Sequence, residues 1–228
     1  MKTLYKITVL AALVALAVSP AMGQVEFTFE GFAMMTPGTD QVGASLTVYG
    51  IANPAISAPT PLPMDFDTYQ YTVAVSGMTV TGFNEDLVTH RKTFQFEGGT
   101  IRMYSDMIAG GTAGDYALPG SFTDGDMFVE AAVDDGWELI LNNPLGFGYT
   151  GAGIGTCALT GGSSLGDLQD LEFPLDGWTF AGTGVGEPSP FIQVPNGYDY
   201  IFGVKIIFPY DPTPNEASTF GALKNLYR

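Results

Sequence analysis

Residues 93–104 read Thr-Phe-Gln-Phe-Glu, Gly-Gly, Thr-Ile-Arg-Met-Tyr. Apolar and polar side chains alternate on both sides of the glycine pair, the period of a half-buried strand. A two-residue Gly-Gly loop predicts a hairpin, in which Phe96 faces Ile101 and Phe94 faces Met103. Gln95 and Arg102 then meet on the opposite face. Both faces sort correctly, so the middle of the chain reads as antiparallel β-structure.

The same pattern extends outward. Tyr69, Tyr71, Val73 and Val75 share one face of a strand over 69–76, and Ser76-Gly77 predicts a return along Met78–Thr81. Residues 127–133 lead through Asp134-Asp135-Gly136 into 137–141, again a hairpin signal because Asp-Gly tolerates positive φ. Phe191–Val194, Pro195-Asn196-Gly197 and a long alternating run from Tyr198 to Phe208 predict a further hairpin. That last run is the strongest core strand, expected mid-sheet. Helical periodicity is nearly absent. The fold class is therefore all-β, an antiparallel sandwich or a jelly-roll-like barrel. A membrane β-barrel is the alternative, although several segments fall short of the ten or so residues each span needs.

Composition narrows the partners. The 228 residues carry 24 acidic and eight basic side chains, a net charge of −16, with one Cys and one His. A single Cys forms no internal disulfide. One Cys and one His do not make a zinc site of that ligand type. The negative charge repels a phosphate backbone, so nucleic acid is not expected as a partner.

The N-terminus is an address. Lys2 and Lys6 precede an apolar run, and Ala21 and Gly23 supply the small positions that signal peptidase needs. The run is too short for a bilayer crossing, and no later segment is a transmembrane candidate. Residues 1–23 read as a cleaved signal peptide, with Gln24 as the first mature residue. Its removal takes two lysines and no acids, leaving 205 residues at −18. The protein is thus expected outside the cytoplasm, secreted or in the cell envelope. Residues 24–212 form one domain, and 213–228 a linker and short tail.

Four candidate sites need weighing. Gly146-Phe147-Gly148-Tyr149-Thr150-Gly151 has dinucleotide-fingerprint spacing, but Ala152–Thr156 does not support the helix that such a site requires. His90 lies in a charged segment, Glu85–Lys92, and reads as a solvated loop residue, because no nucleophile elbow accompanies it. Trp137, Trp178, Tyr149, Tyr198 and Tyr200 offer a sugar-stacking platform, set against ordinary burial of strand aromatics; Trp178, near a turn, is expected partly exposed. Asp124 and Asp126 flank Gly125 with Asp134 and Asp135 nearby, the oxygen-rich chemistry that calcium selects, although EF-hand spacing is absent. The competing reading of that segment is a plain turn opening the next strand. Cys157, among small apolar neighbours, reads as buried rather than reactive.

The chain closes on Phe220-Gly221-Ala222-Leu223-Lys224-Asn225-Leu226-Tyr227-Arg228. Phe220, Leu223 and Tyr227 fall on one helical face, and Lys224 and Arg228 suit the end of a helix. These nine residues resemble the aromatic-Gly-x-x-Lys-x-Leu/Met-aromatic-Arg tails of various uncharacterised secreted bacterial proteins, with Phe220 where the usual tail has Trp. The resemblance implies an exported bacterial protein and no particular activity. The prolines at 209, 212 and 214 set the tail apart, so the domain is expected not to depend on it.

Export, β-architecture and acidity point to a non-enzymatic extracellular module of structural, surface or adhesion type. A glycan or another cell-surface partner is expected, with calcium as the possible ion and no organic cofactor. The alternative is a secreted carbohydrate-active hydrolase using two carboxylates.

Overall fold

The computed structural model describes residues 26–54, 62, 64–111, 113–170 and 174–207. The expected signal peptide and the C-terminal tail lie outside the described residues. Ten strands form one sheet: β1 (Glu26–Thr36), β2 (Ser45–Ala52), β3 (Tyr69–Asp86), β4 (Arg91–Glu97), β5 (Thr100–Met107), β6 (Asp126–Val133), β7 (Trp137–Asn142), β8 (Thr150–Gly161), β9 (Trp178–Gly186) and β10 (Tyr200–Ile207).

The all-β expectation holds, but the layers do not. Every pairing is antiparallel, β2 joins β3, and β10 joins β1, so the sheet closes on itself. The molecule is a closed barrel, not a sandwich. The register shows why. Opposite β3, the pairing runs from Asp86↔Arg91 to Thr79↔Glu97 along β4 and continues from Ser76↔Thr100 to Tyr69↔Met107 along β5. β4 and β5 are therefore one long stave bent at Gly98-Gly99, not the two arms of a hairpin. β6 and β7 repeat the arrangement, pairing with β5 and then β4, and β8 follows both. Ten strands make eight staves, each beside its neighbour in sequence.

Three predicted hairpins are thereby corrected. Gly77 is not a turn but a bend inside β3, at φ +78°. Gly98 and Gly99 sit beside it at φ +65° and +112°, and Gly136 next along at +88°. The bends are tied together: Val133 N donates to Gly99 O at 3.0 Å, Gly136 N to Phe96 O at 3.1 Å, and Gly98 N to the Asp135 carboxylate at 3.0 Å. Ser76-Gly77 also absorbs one extra residue, as a bulge does, so Val75 and Met78 both face inward. Cross-strand partners change accordingly. Phe96 lies between Val80 and Trp137, and Ile101 between Val75 and Ala131. Gln95 lies opposite Glu138, while Arg102 pairs with Glu130 at 2.8 Å. The Phe191–Val194 strand is also corrected: that segment is loop, and β10 begins at Tyr200.

An eight-stave barrel has an interior that side chains fill. Here Trp137, Phe180 and Phe202 stack along it, with ring centroids 5.4 and 6.2 Å from Trp137. Trp137 donates its indole N–H to Phe180 O at 3.0 Å. The indole needs space that β8 supplies. Gly153 and Gly155 face inward, and a Cβ on Gly155 would lie 2.6 Å from the ring; one on Gly153 would overlap it outright. Outward positions carry Thr79, Thr81, Gln95, Arg102, Glu130 and Glu138. That polarity is the inverse of a membrane barrel, which turns its apolar band outward. Among the described residues, no helix is long and apolar enough to cross a membrane.

A second, smaller apolar cluster lies outside the barrel. The β5–β6 connection folds back over the staves and buries Phe122 completely. Tyr116 packs edge-on against Phe32 at 4.7 Å and beside Phe122 at 4.8 Å.

Overpacking a close-packed core costs about 1–3 kcal/mol. Gly153→Ala should therefore lower the melting temperature by roughly 3–10 °C for a chain of this size. Gly120→Ala, which adds a methyl in open space, should leave it unchanged. Thermal melts followed by circular dichroism provide the comparison.

Candidate functional site

Strand parity places Lys92 with Phe94 and Phe96 on the inward face of β4. A lone ammonium there would be costly, and the fold answers it with two carboxylates. Lys92 Nζ donates to Asp40 Oδ2 at 2.9 Å and to Glu187 Oε1 at 2.7 Å. It also lies 4.3 Å from the centroid of the Tyr149 ring. Tyr149 in turn donates its hydroxyl to Glu85 at 3.0 Å. Burial pulls the Lys92 pKa down, but the bonds to Glu187 and Asp40 outweigh it and hold the pKa above 10.5. The group stays an ammonium and is neither base nor nucleophile at neutral pH.

The three partners of Lys92 come from three connections at the same barrel mouth, and Glu85, the partner of Tyr149, from the adjoining end of β3. Asp40 lies between β1 and β2, Glu85 at the tip of β3, Tyr149 before β8, and Glu187 just after β9. Lys92 therefore clamps this mouth. Asn143 N adds a bond to His90 O at 2.8 Å. Asp86 caps the β3–β4 turn, accepting from Val88 N at 2.8 Å and the Thr89 hydroxyl at 2.7 Å. The Thr89 hydroxyl bond, with the two backbone N–H donors, holds its pKa below the usual carboxylate range.

The clamped loops carry apolar side chains into water. Val42, Leu87, Val88, Leu145, Phe147 and Phe191 are each 59–89% exposed. Phe147 and Phe191 meet edge-on at 5.7 Å and line a depression of about 240 Å³ with Leu145 and Pro144. Single exposed apolar residues are ordinary; here six stand on loops at one mouth, and three of them line one depression.

The sites foreseen from sequence fall elsewhere. Asp124 and Asp126 flank Gly125 ahead of β6 and share a shallow pocket of about 300 Å³ with Asp106. Among the described residues no set of three or more acidic, His or Cys side chains is arranged to hold a metal ion. Of the two readings of the strand aromatics, burial holds: Trp137 and Tyr200 are fully buried, Tyr198 nearly so, and Tyr149 belongs to the clamp; Trp178, expected partly exposed, is corrected to fully buried. Trp178 is buried because its indole N–H reaches Pro174 O inside the turn. The glycine fingerprint leads into β8, a strand rather than a helix. His90 sits exposed on the hairpin turn at φ +52°. Cys157 is buried, which pushes its thiol up to about 12 and leaves it inert.

Lys92 itself was missed, having been grouped with the charged residues 85–92 as connecting segment. The signal was present: 92, 94 and 96 share one parity.

Removing one partner of a fully buried ion pair costs about 3–5 kcal/mol. Asp40 and Glu187 keep 33% and 22% of their side-chain exposure, so Lys92→Met should cost less, about 2 kcal/mol. Because the folded pKa is raised, the Lys92 contribution is complete below pH 10.5 and fades as pH climbs through the folded value. The melting-temperature gap between wild type and Lys92→Met should therefore narrow in alkali. A gap that stays constant would contradict the clamp.

No protein-family model, curated protein or solved structure matches the chain, so its function has to follow from its own geometry.

Proposed function

We propose that this protein is an exported, non-enzymatic binding module that engages a cell-surface partner through the apolar rim at the clamped mouth. One observation carries the reading: six large apolar side chains, from loops that a single buried lysine ties together, face solvent on one end of the barrel. Binding residues on loops held by a rigid scaffold lose little entropy on association. The mature charge of −18 disfavours anionic lipid and polyanionic glycan surfaces. An uncharged or basic partner with an apolar face fits better. Lys92 is committed to its carboxylates and Cys157 to the core.

Purified mature protein should sediment with the envelope fraction of its source cells. Leu145→Ser with Phe191→Ser should abolish that while leaving the melting temperature within about 2 °C, as substitutions at exposed positions usually do. Undiminished sedimentation of the double variant would overturn the reading.

Calcium at Asp124 and Asp126 is a second reading: both line one pocket with Asp106, and because no three of these side chains converge as ligands among the described residues, the remaining oxygens would have to come from backbone and water. Millimolar calcium should then raise the melting temperature relative to chelator, since the ion would bind the folded state selectively. Asp124→Asn should remove the rise. Hydrolysis of a neutral polysaccharide that Asp126→Asn abolishes would favour the carboxylate hydrolase instead.

A further inference from the structure

A further concavity lies away from the rim, on the outer wall of the barrel. It is an open groove of about 750 Å³ over β1, β9 and β10. Gly31, Gly184 and Gly203 are among its lining residues and contribute no side chains. Phe32, Ile51 and Ile201 give it apolar walls, and Tyr116 closes one side. Tyr116 is held there by its hydroxyl bond to Glu30 O at 3.1 Å.

The chain itself supplies a matching occupant. β10 ends at Ile207, and its outward residues Ile201, Gly203 and Lys205 line the groove. The chain therefore leaves the barrel within about 20 Å of the groove, at roughly 3.4 Å per residue. Residues 208–216 precede the apolar tail, and nine residues can span up to about 30 Å. The tail has the right chemistry as well. Phe220, Leu223 and Tyr227 recur at helical spacing, and too short a helix needs a surface to dock on. Residues 217–228 hold Lys224, Arg228 and no acid, whereas residues 24–207 hold 22 carboxylates against four Lys or Arg. The acidic barrel attracts a basic tail over distance, while the groove, whose charged lining residues are Glu30 and Lys205, offers the apolar face.

We propose that residues 217–228 dock in the outer groove of their own barrel, with Phe220 and Leu223 against Phe32, Ile51 and Ile201. This reverses the expectation that the domain is indifferent to its tail. The rim plays no part in it, so the two proposals stand or fall separately.

The test uses the full mature chain and its single buried cysteine. Cys157 is silent to maleimide while the protein is folded, so Ile201→Cys places one reactive thiol in the groove. With the native tail, labelling should be at least tenfold slower than in the same protein carrying Phe220→Asp and Leu223→Asp. Val88→Cys, on the rim, should label at one rate with either tail. Equal rates at Ile201→Cys would overturn the proposal. Protection that grows with protein concentration would overturn it too, by assigning the tail to a second copy. Envelope sedimentation of the Phe220→Asp, Leu223→Asp protein should be unchanged, which separates this result from the rim reading.

Discussion

Trp137 lies against a strand that offers it no side chains. Its indole occupies the room left by Gly153 and Gly155, reaches across to Phe180 O, and stacks with Phe180 and Phe202. A closed barrel of eight staves needs its interior filled to native density, because a void forfeits contacts on every wall at once. Aromatic mass from β4, β7, β9 and β10 does the filling, and the glycines of β8 make it sterically possible. Closure through β10 and β1 depends on this match of large to absent side chains.

A second constraint acts on the backbone. Staves of up to 18 residues cannot remain straight around so small a core. They bend together along one line, at Gly77, at Gly98-Gly99 and at Asp134-Asp135-Gly136, with hydrogen bonds passing from bend to bend. The bulge at Ser76-Gly77 keeps inward parity on both sides of the corner. Every barrel stave is thereby paired on both edges, and no long exposed edge is left to recruit another chain.

The proposed binding surface lies where the regular structure stops. Loops at one mouth are clamped by Lys92, whose charge is balanced by Asp40 and Glu187 and covered by Tyr149. The clamp ties three connections to the end of β3 without making the lysine reactive. Above it, apolar side chains are held out into solvent at a cost in free energy that the fold alone does not recover. The outer groove is a separate feature, lined in part by glycines that contribute no side chains.

The sequence by itself determined the elements and their faces. Phe94, Phe96, Ile101 and Met103 were assigned inward by alternation, and all four are buried. The strand class, the buried Cys157 and the exposed His90 were equally legible, because each depends on neighbours within a few residues. Only the tertiary structure decided which turns were turns. A glycine at positive φ serves a hairpin loop and a bent stave alike, so Gly77, Gly98-Gly99 and Gly136 carry the same local signal in either role. Partners distant in sequence resolve it: β4 and β5 both have β3 beside them, and that pairing removes the possibility that they pair with each other. The clamp was hidden for the same reason. Asp40 and Glu187 stand 52 and 95 positions from Lys92, and only closure of the barrel brings three such charges to one point.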